Sequence, residues 1–219
     1  MAAKKSAKKK QAKQPDVAAL YWDHLLTNDA RPKSVYAFCK EVGMEEAQFY
    51  DQFSSFESIE SRYWRSCVDD TIAVLDADDD YAHYDSQQKL LAFYFTFFAH
   101  IQRHRSRLVS FFPCMQTLMP PPLRGMRESF ITWADALVLD AVNAGEFADR
   151  KKFNELYAKG LFEQLRFLID YYRKDSSDNF QDTDALVEKS VRFFADSARS
   201  GVLDSALDLA RFMLRKFQK

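Results

Sequence analysis

The sequence predicts an all-α chain, and three observations carry that expectation. Apolar residues recur at helical spacing along most of the length, and no segment shows the strict alternation of a half-buried strand. Gly and Pro are scarce, five and six in 219 residues, so long stretches run without a breaker. No Asn-Gly or comparable hairpin turn separates two apolar runs, and no fixed-period repeat is visible. Hydrophobic residues make up 47% of the chain and include 20 Phe, ample core material for a soluble chain of one or two domains.

Residues 1–14 form a separate electrostatic object. Lys4, Lys5, Lys8, Lys9, Lys10 and Lys13 stand there without an acid, whereas the remaining residues carry 25 basic against 32 acidic side chains. A disordered basic tail is expected, either touching nucleic acid, an anionic membrane or the acidic body, or serving as a solubilising leader. It has no apolar core of the kind a secretory signal needs, and the longest apolar run, Leu90 to Ala99, is too short to span a bilayer. No transmembrane segment and a cytoplasmic location are expected. Cys39, Cys67 and Cys114 are odd in number and sit within apolar patterns, which reads as reduced core thiols.

Asp16, following Pro15, is placed to cap a first helix through about Thr27, with Val17, Leu20, Tyr21, His24 and Leu25 inward. Val35, Phe38 and Cys39 then mark a short helix, and Gly43 breaks it. Gly suits the left-handed conformation that closes a helix, because a side chain there meets the following carbonyl. A second short helix follows with Ala47, Phe49, Tyr50 and Phe53 inward, so the pair reads as two helices at a sharp angle. Ser54 or Ser55 caps a long helix over 56–75, striped by Phe56, Ile59, Tyr63, Cys67 and Val74. That helix links a bundle over 15–60 to a second domain over 61–219.

The Asp76 to Asp80 run ends it. Asp76, Asp78 and Asp80 fall on the first alternate positions of a calcium loop, but Tyr81 stands at the sixth position and Gln87 at the twelfth, so a solvated connector is expected.

From Asp85 the pattern predicts helices over 85–103, 105–119, 122–143, 148–174 and 183–217, with Pro113 inside one apolar segment and Pro120, Pro121 and Pro122 between two others. Aromatic side chains are dense enough here either to fill a core or to enclose a cavity. The candidate lining is Phe93, Phe97, Phe111, Phe112, Met115, Met119, Trp133 and Phe162, with His100, His104 and Gln164 as polar anchors. His100 and His104 share a helical face, but they lack a third ligand and stand among Arg103, Arg105 and Arg107, so no metal is expected. Those arginines and Arg124 are candidates for a carboxylate or phosphate head group, or for surface pairs. The last two helices are apolar over more than a narrow stripe. Phe153, Tyr157, Gly160, Leu161, Leu186, Phe194, Leu203 and Leu207 read as a homodimer interface built by four-helix packing, with a monomeric core as the competing account.

Gly43, Phe49, Tyr50, Phe53 and Glu57 together resemble the N-terminal module of the TetR family of bacterial regulators, in which an apolar helix, a Gly turn, an aromatic-Tyr pair, a Phe and a Glu follow in that order. The resemblance covers about the first third of the chain. It implies a three-helix helix-turn-helix bundle followed by a C-terminal helical ligand-binding and dimerisation domain. The implied function is a dimeric transcriptional regulator that binds duplex DNA and senses a hydrophobic small molecule, with Lys33, Lys40, Glu45, Gln48 and Tyr50 at the DNA.

The chain departs from the family at three positions. Glu45 replaces a capping Ser or Thr, Gln48 replaces a hydroxyl facing phosphate, and Phe56 replaces a Lys before the Glu. Between Pro32 and Glu60, Lys33 and Lys40 stand against Glu41, Glu45, Glu46, Asp51, Glu57 and Glu60. Because cations supply most non-specific affinity for DNA, this surplus supports a second reading: a TetR-fold lipid-binding accessory protein that does not bind DNA specifically, as in the similar ubiquinone-biosynthesis lipid-binding family. No P-loop, dinucleotide glycine pattern or nucleophile elbow occurs, so no catalytic residue and no cofactor is expected.

Overall fold

The computed structural model describes residues 15–113, 119–151 and 154–199. The expectations placed on residues 1–14, Cys114, Met115, Phe153, Leu203 and Leu207 lie outside these. The described residues form α-helices α1 Val17–Asn28, α2 Val35–Val42, α3 Glu46–Tyr50, α4 Phe56–Asp76, α5 Ser86–Gln102, α6 Arg105–Phe111, α7 Arg124–Asn143, α8 Asn154–Lys174 and α9 Gln181–Arg199, joined by turns and single 3-10 turns, with no strand among them. The fold is all-α. It divides into two compact units, Met1–Ile59 and Glu60–Lys219, with the boundary inside α4.

In the first unit, Asp16 caps α1 by accepting the Ala19 N–H at 3.0 Å, and Ser34 caps α2 by accepting that of Ala37 at 3.1 Å. Gly43 closes α2 in the left-handed region (φ 71°, ψ 37°), and the Met44 N–H reaches back to the Cys39 carbonyl at 2.9 Å. Ser55 accepts the Ser58 N–H at the start of α4. The core is aromatic. Tyr21 stacks on Phe56 at 4.9 Å, and Phe38 and Phe49 meet the same ring edge-on at 5.7 and 5.5 Å. Phe56, the departure from the family's Lys, therefore supplies a core ring. Ala47 and Tyr50 are exposed and not inward, because the single turn of α3 buries Phe49 and turns both neighbours out.

Along α4 the buried stripe runs through Trp64, Cys67, Thr71 and Leu75, leaving the expected Val74 exposed. Thr71 enters an apolar stripe because its hydroxyl donates to the Cys67 carbonyl at 2.7 Å and so needs no water. In the second unit α8 packs against α6, α7 and α9, and α5 against α7 and α9. Phe93, Tyr94 and Phe97 of α5, Phe130 of α7, Leu161, Leu165, Leu168 and Ile169 of α8, and Val187 and Val191 of α9 fill the interior.

Three boundaries differ from the periodicity. Helix α6 stops at Phe111 and does not continue to 119: Phe112, ahead of Pro113, is extended (φ −66°, ψ 127°), as the proline ring requires of its predecessor. Helix α8 begins at Asn154 and not at 148, because Ala148 and Arg150 are engaged with the Ala198 carbonyl at 3.0 and 2.9 Å, and Lys151 is left-handed (φ 51°). Helix α7 begins at Arg124, after a 3-10 turn at Pro121–Leu123.

Candidate functional site

The first candidate site is the outer surface of α2 and α3. Lys33, Lys40, Glu45 and Tyr50 are exposed, and Tyr50 packs edge-on against the buried Phe49 at 5.3 Å. Gln48 is placed differently from expectation. Its Oε1 accepts the Glu45 N–H at 3.0 Å, so the side chain caps α3 and does not reach outward. Tyr36, which the sequence reading passed over, is 63% exposed on α2. Its signal was available: it falls off the Val35, Phe38, Cys39 stripe, so a large ring there has no core to enter. Behind the surface, His24 of α1 meets Glu41 of α2 at 3.0 Å. Burial raises the Cys39 thiol above its ordinary range, with Glu46 and Glu45 adding to it, so that sulfur is an inert core group.

The second candidate site is the aromatic region around α5, α7 and α8. Phe93 and Phe97 are fully packed and do not line open space. Phe93 stacks on Trp133 at 4.3 Å and meets Phe130 at 5.2 Å, and Phe112 packs edge-on against Trp64 at 5.2 Å. Helical spacing cannot separate a lining ring from a packed one, and here the rings fill the volume themselves. Phe111 is half-buried. Met119 and Phe162 do come together, with Arg127, Lys159 and Glu163, around an open cleft of about 480 Å³. That volume lies within the range of small-molecule sites. Gln164 lies deeper: its Oε1 accepts the Tyr94 hydroxyl at 3.4 Å, and its buried Nε2 has no partner among the described residues.

His100 faces Asp70 of α4 at 3.8 Å. His104 is exposed, and desolvation, followed by Arg107, His100 and Arg103, holds its imidazole below the ordinary range. Neither contributes to the cleft. Among the described residues no cluster of His, Cys, Asp and Glu is placed to hold a metal. Arg105 is used structurally: it donates to the carbonyls of Tyr172 at 2.9 Å and Asp175 at 3.1 Å, capping the end of α8, and stacks over the Tyr172 and Phe180 rings. Arg107 lies over the Tyr63 ring at 5.0 Å, and Arg103 and Arg124 are exposed.

The third candidate is the outer face of α8 and α9. Tyr157 and Leu161 are buried within the protomer, the former donating to the Ala148 and Ala198 carbonyls, so they back this face and do not form it. Phe194 is half-buried against Phe147 and Tyr157, and Leu186 is half-buried. Gly160 is exposed, with nothing within 4 Å of where a Cβ would stand. It lies on a stripe with Leu156, Phe167 and Tyr171, spaced four, seven and four residues apart, all exposed. Phe193 of α9 is 74% exposed. Leu156, Phe167, Tyr171 and Phe193 thus leave large apolar side chains uncovered within the protomer.

Residues 89–213 match the family model of the tetracyclin repressor-like, C-terminal domain. A solved structure described as that of a protein with unknown function from Rhodococcus sp. RHA1 is similar at 12% identity and a TM-score of 0.55, over 88% of this chain and 100% of its own. That likeness concerns the fold. No curated protein matches the chain. No helix among the described residues is long and apolar enough to cross a membrane.

Proposed function

The chain belongs to the tetracycline repressor-like (TetR) family of regulators, and we propose that it acts as a homodimer that reads duplex DNA through α2 and α3 and releases it when a hydrophobic small molecule binds the helical unit. The observation that carries this reading is the combination, in one chain, of the Gly43-turned helix pair with the matched C-terminal domain. In such a pair the second helix lies in the major groove while the first crosses the backbone.

Exposed Lys33 and Lys40 supply phosphate contacts, and exposed Tyr36 and Tyr50 supply planar, hydroxyl-bearing contact area. With two motif lysines per protomer, the folded motifs of a dimer neutralise roughly four phosphates, which gives a shallow salt dependence apart from any contribution of the lysines in residues 1–14. The acids Glu45, Glu46 and Asp51 lower affinity for random duplex more than for a matched site, where an acid can accept from cytosine. Dimerisation through the Leu156, Gly160, Phe167, Tyr171 stripe and Phe193 pairs two motifs on half-sites one helical turn apart.

Helix α4 gives the relay. It begins with Phe56 in the core of the first unit, and farther along its Asp69 accepts the Ser129 hydroxyl of α7. Arg127, at the cleft, is on that same α7. A ligand that shifts α7 therefore biases α4. Selection of duplexes from a random pool by the intact protein tests the reading: enrichment of a two-fold symmetric site supports it, and a pool that stays unenriched removes DNA reading from the account.

A further inference from the structure

Arg127 is the charged group in the α7–α8 cleft that structural roles leave unspent. Lys159 pairs with Glu155 at 3.3 Å, and Glu163 pairs at 2.8 Å with Arg166, whose side chain is 3% exposed. Arg127 makes no ion pair or hydrogen bond of its own among the described residues. It stands half-buried over an apolar floor, since Phe162 is 1% exposed and packs on Phe130 at 5.9 Å, with Met119 beside it.

This arrangement discriminates between ligand classes. A cation in the cleft meets Arg127 and Lys159 together. A neutral apolar molecule covers the guanidinium without replacing its water, which costs free energy. A phosphate monoester carries enough charge to be opposed by Glu163 at the same rim. One carboxylate matches the planar fork of a single guanidinium with two parallel N–H···O bonds, and an apolar body fills the rest of the volume over Phe162 and Met119.

We propose that the small molecule sensed by this protein is a carboxylic acid with an apolar body, its carboxylate on Arg127 and its body over Phe162 and Met119. This deepens the proposed hydrophobic-ligand reading and rests on it. Calorimetric titration of the full chain with decanoate, decan-1-ol and decyltrimethylammonium tests it. Decanoate is expected to bind about tenfold or more tightly than the alcohol, the difference a charge-assisted pair supplies, and the ammonium to bind weakest. Arg127→Gln should remove the advantage of decanoate without weakening decanol, and Phe162→Ala should weaken both acid and alcohol, each variant being checked for an unchanged helical spectrum. Equal affinity for acid and alcohol, unmoved by Arg127→Gln, overturns the carboxylate assignment and leaves a hydrophobic sensor standing. Absence of binding by both probes overturns the assignment together with the cleft as a ligand site.

Discussion

Gly125 of α7 lies so close to Ser61 of α4 that a Cβ there would come within 3.1 Å of the Ser61 hydroxyl and 3.3 Å of its carbonyl oxygen. The carbonyl belongs to a helix and cannot rotate away, so the two helices meet at a point set by the absence of a side chain. Arg65 Cβ adds a third contact at 3.3 Å. Gly125→Leu should force α7 from α4 and destabilise the protein by about 1–3 kcal/mol, the usual cost of overpacking. Thermal melting checks the loss. If α4 relays the ligand signal, the variant should also show a weakened effect of ligand on DNA affinity.

Asp175 organises the turn from α8 into α9. Its carboxylate accepts the N–H and hydroxyl of Thr183 at 3.0 and 2.5 Å and those of Ser177 at 2.8 and 2.7 Å. Desolvation works to raise its pKa, but the Ser177 and Thr183 bonds outweigh it and hold the pKa at about 2, below the ordinary 3.8. A depressed folded-state pKa contributes stability that is complete above the unfolded value and fades as pH falls from about 4 through about 2. Asp175→Asn should therefore cost about 1–2 kcal/mol at pH 7 and flatten the acid limb of the stability profile, as urea titrations between pH 2 and 7 would show.

Arg105 holds the same corner from the other side. Its guanidinium reaches the Tyr172 carbonyl in the last turn of α8 and the Asp175 carbonyl just beyond it while stacking on Phe180 at 4.8 Å, a task for a planar fork. Arg105→Lys keeps the charge and loses the fork. It should restore less than half of the stability lost in Arg105→Ala, itself about 1.5–3 kcal/mol. Chemical denaturation of both variants measures this.

The exposed aromatic stripe predicts association. Phe167→Glu and Phe193→Glu should each convert a dimer to a monomer at micromolar concentration with little loss of helix content, because both rings face outward in the protomer. Each buried Phe supplies roughly 1.5–3 kcal/mol to such a contact. Sedimentation velocity separates the outcomes, and a monomeric parent protein would remove the interface from the account.

Much of the first unit was legible in the sequence because its determinants are local. Gly43 and Asp16 act on residues three or four away, and Phe38, Phe49 and Phe53 follow a short stripe. What failed there also has a local reason: α3 is one turn, too short for periodicity to assign Ala47 and Tyr50 a side. The candidate sites were less legible. Phe93 and Phe97 read as lining because an aromatic stripe carries no information about what faces it. Arg127 escaped notice because its importance depends on Lys159 and Glu163, more than thirty residues away, already having partners. Tyr157, Gly160 and Leu161 read together as one outward face, yet Tyr157 and Leu161 are buried and Gly160 is exposed, since a wide apolar helix has two faces and the sequence does not say which one the protomer keeps.

On the proposed reading the folded helix pair, and not the lysine-rich residues 1–14, recognises sequence in duplex DNA. Fluorescence anisotropy decides this by comparing a duplex enriched from a random pool with a scrambled one at rising salt. The intact protein and a variant with Lys4, Lys5, Lys8, Lys9, Lys10 and Lys13 changed to Gln would be measured side by side. The variant should bind both duplexes more weakly, with a shallower salt slope, yet keep its preference for the enriched duplex, and Tyr50→Ala should abolish that preference. Loss of the preference in the lysine variant, with Tyr50→Ala indistinguishable from the intact protein, would assign recognition to residues 1–14 and overturn the role of the helix pair.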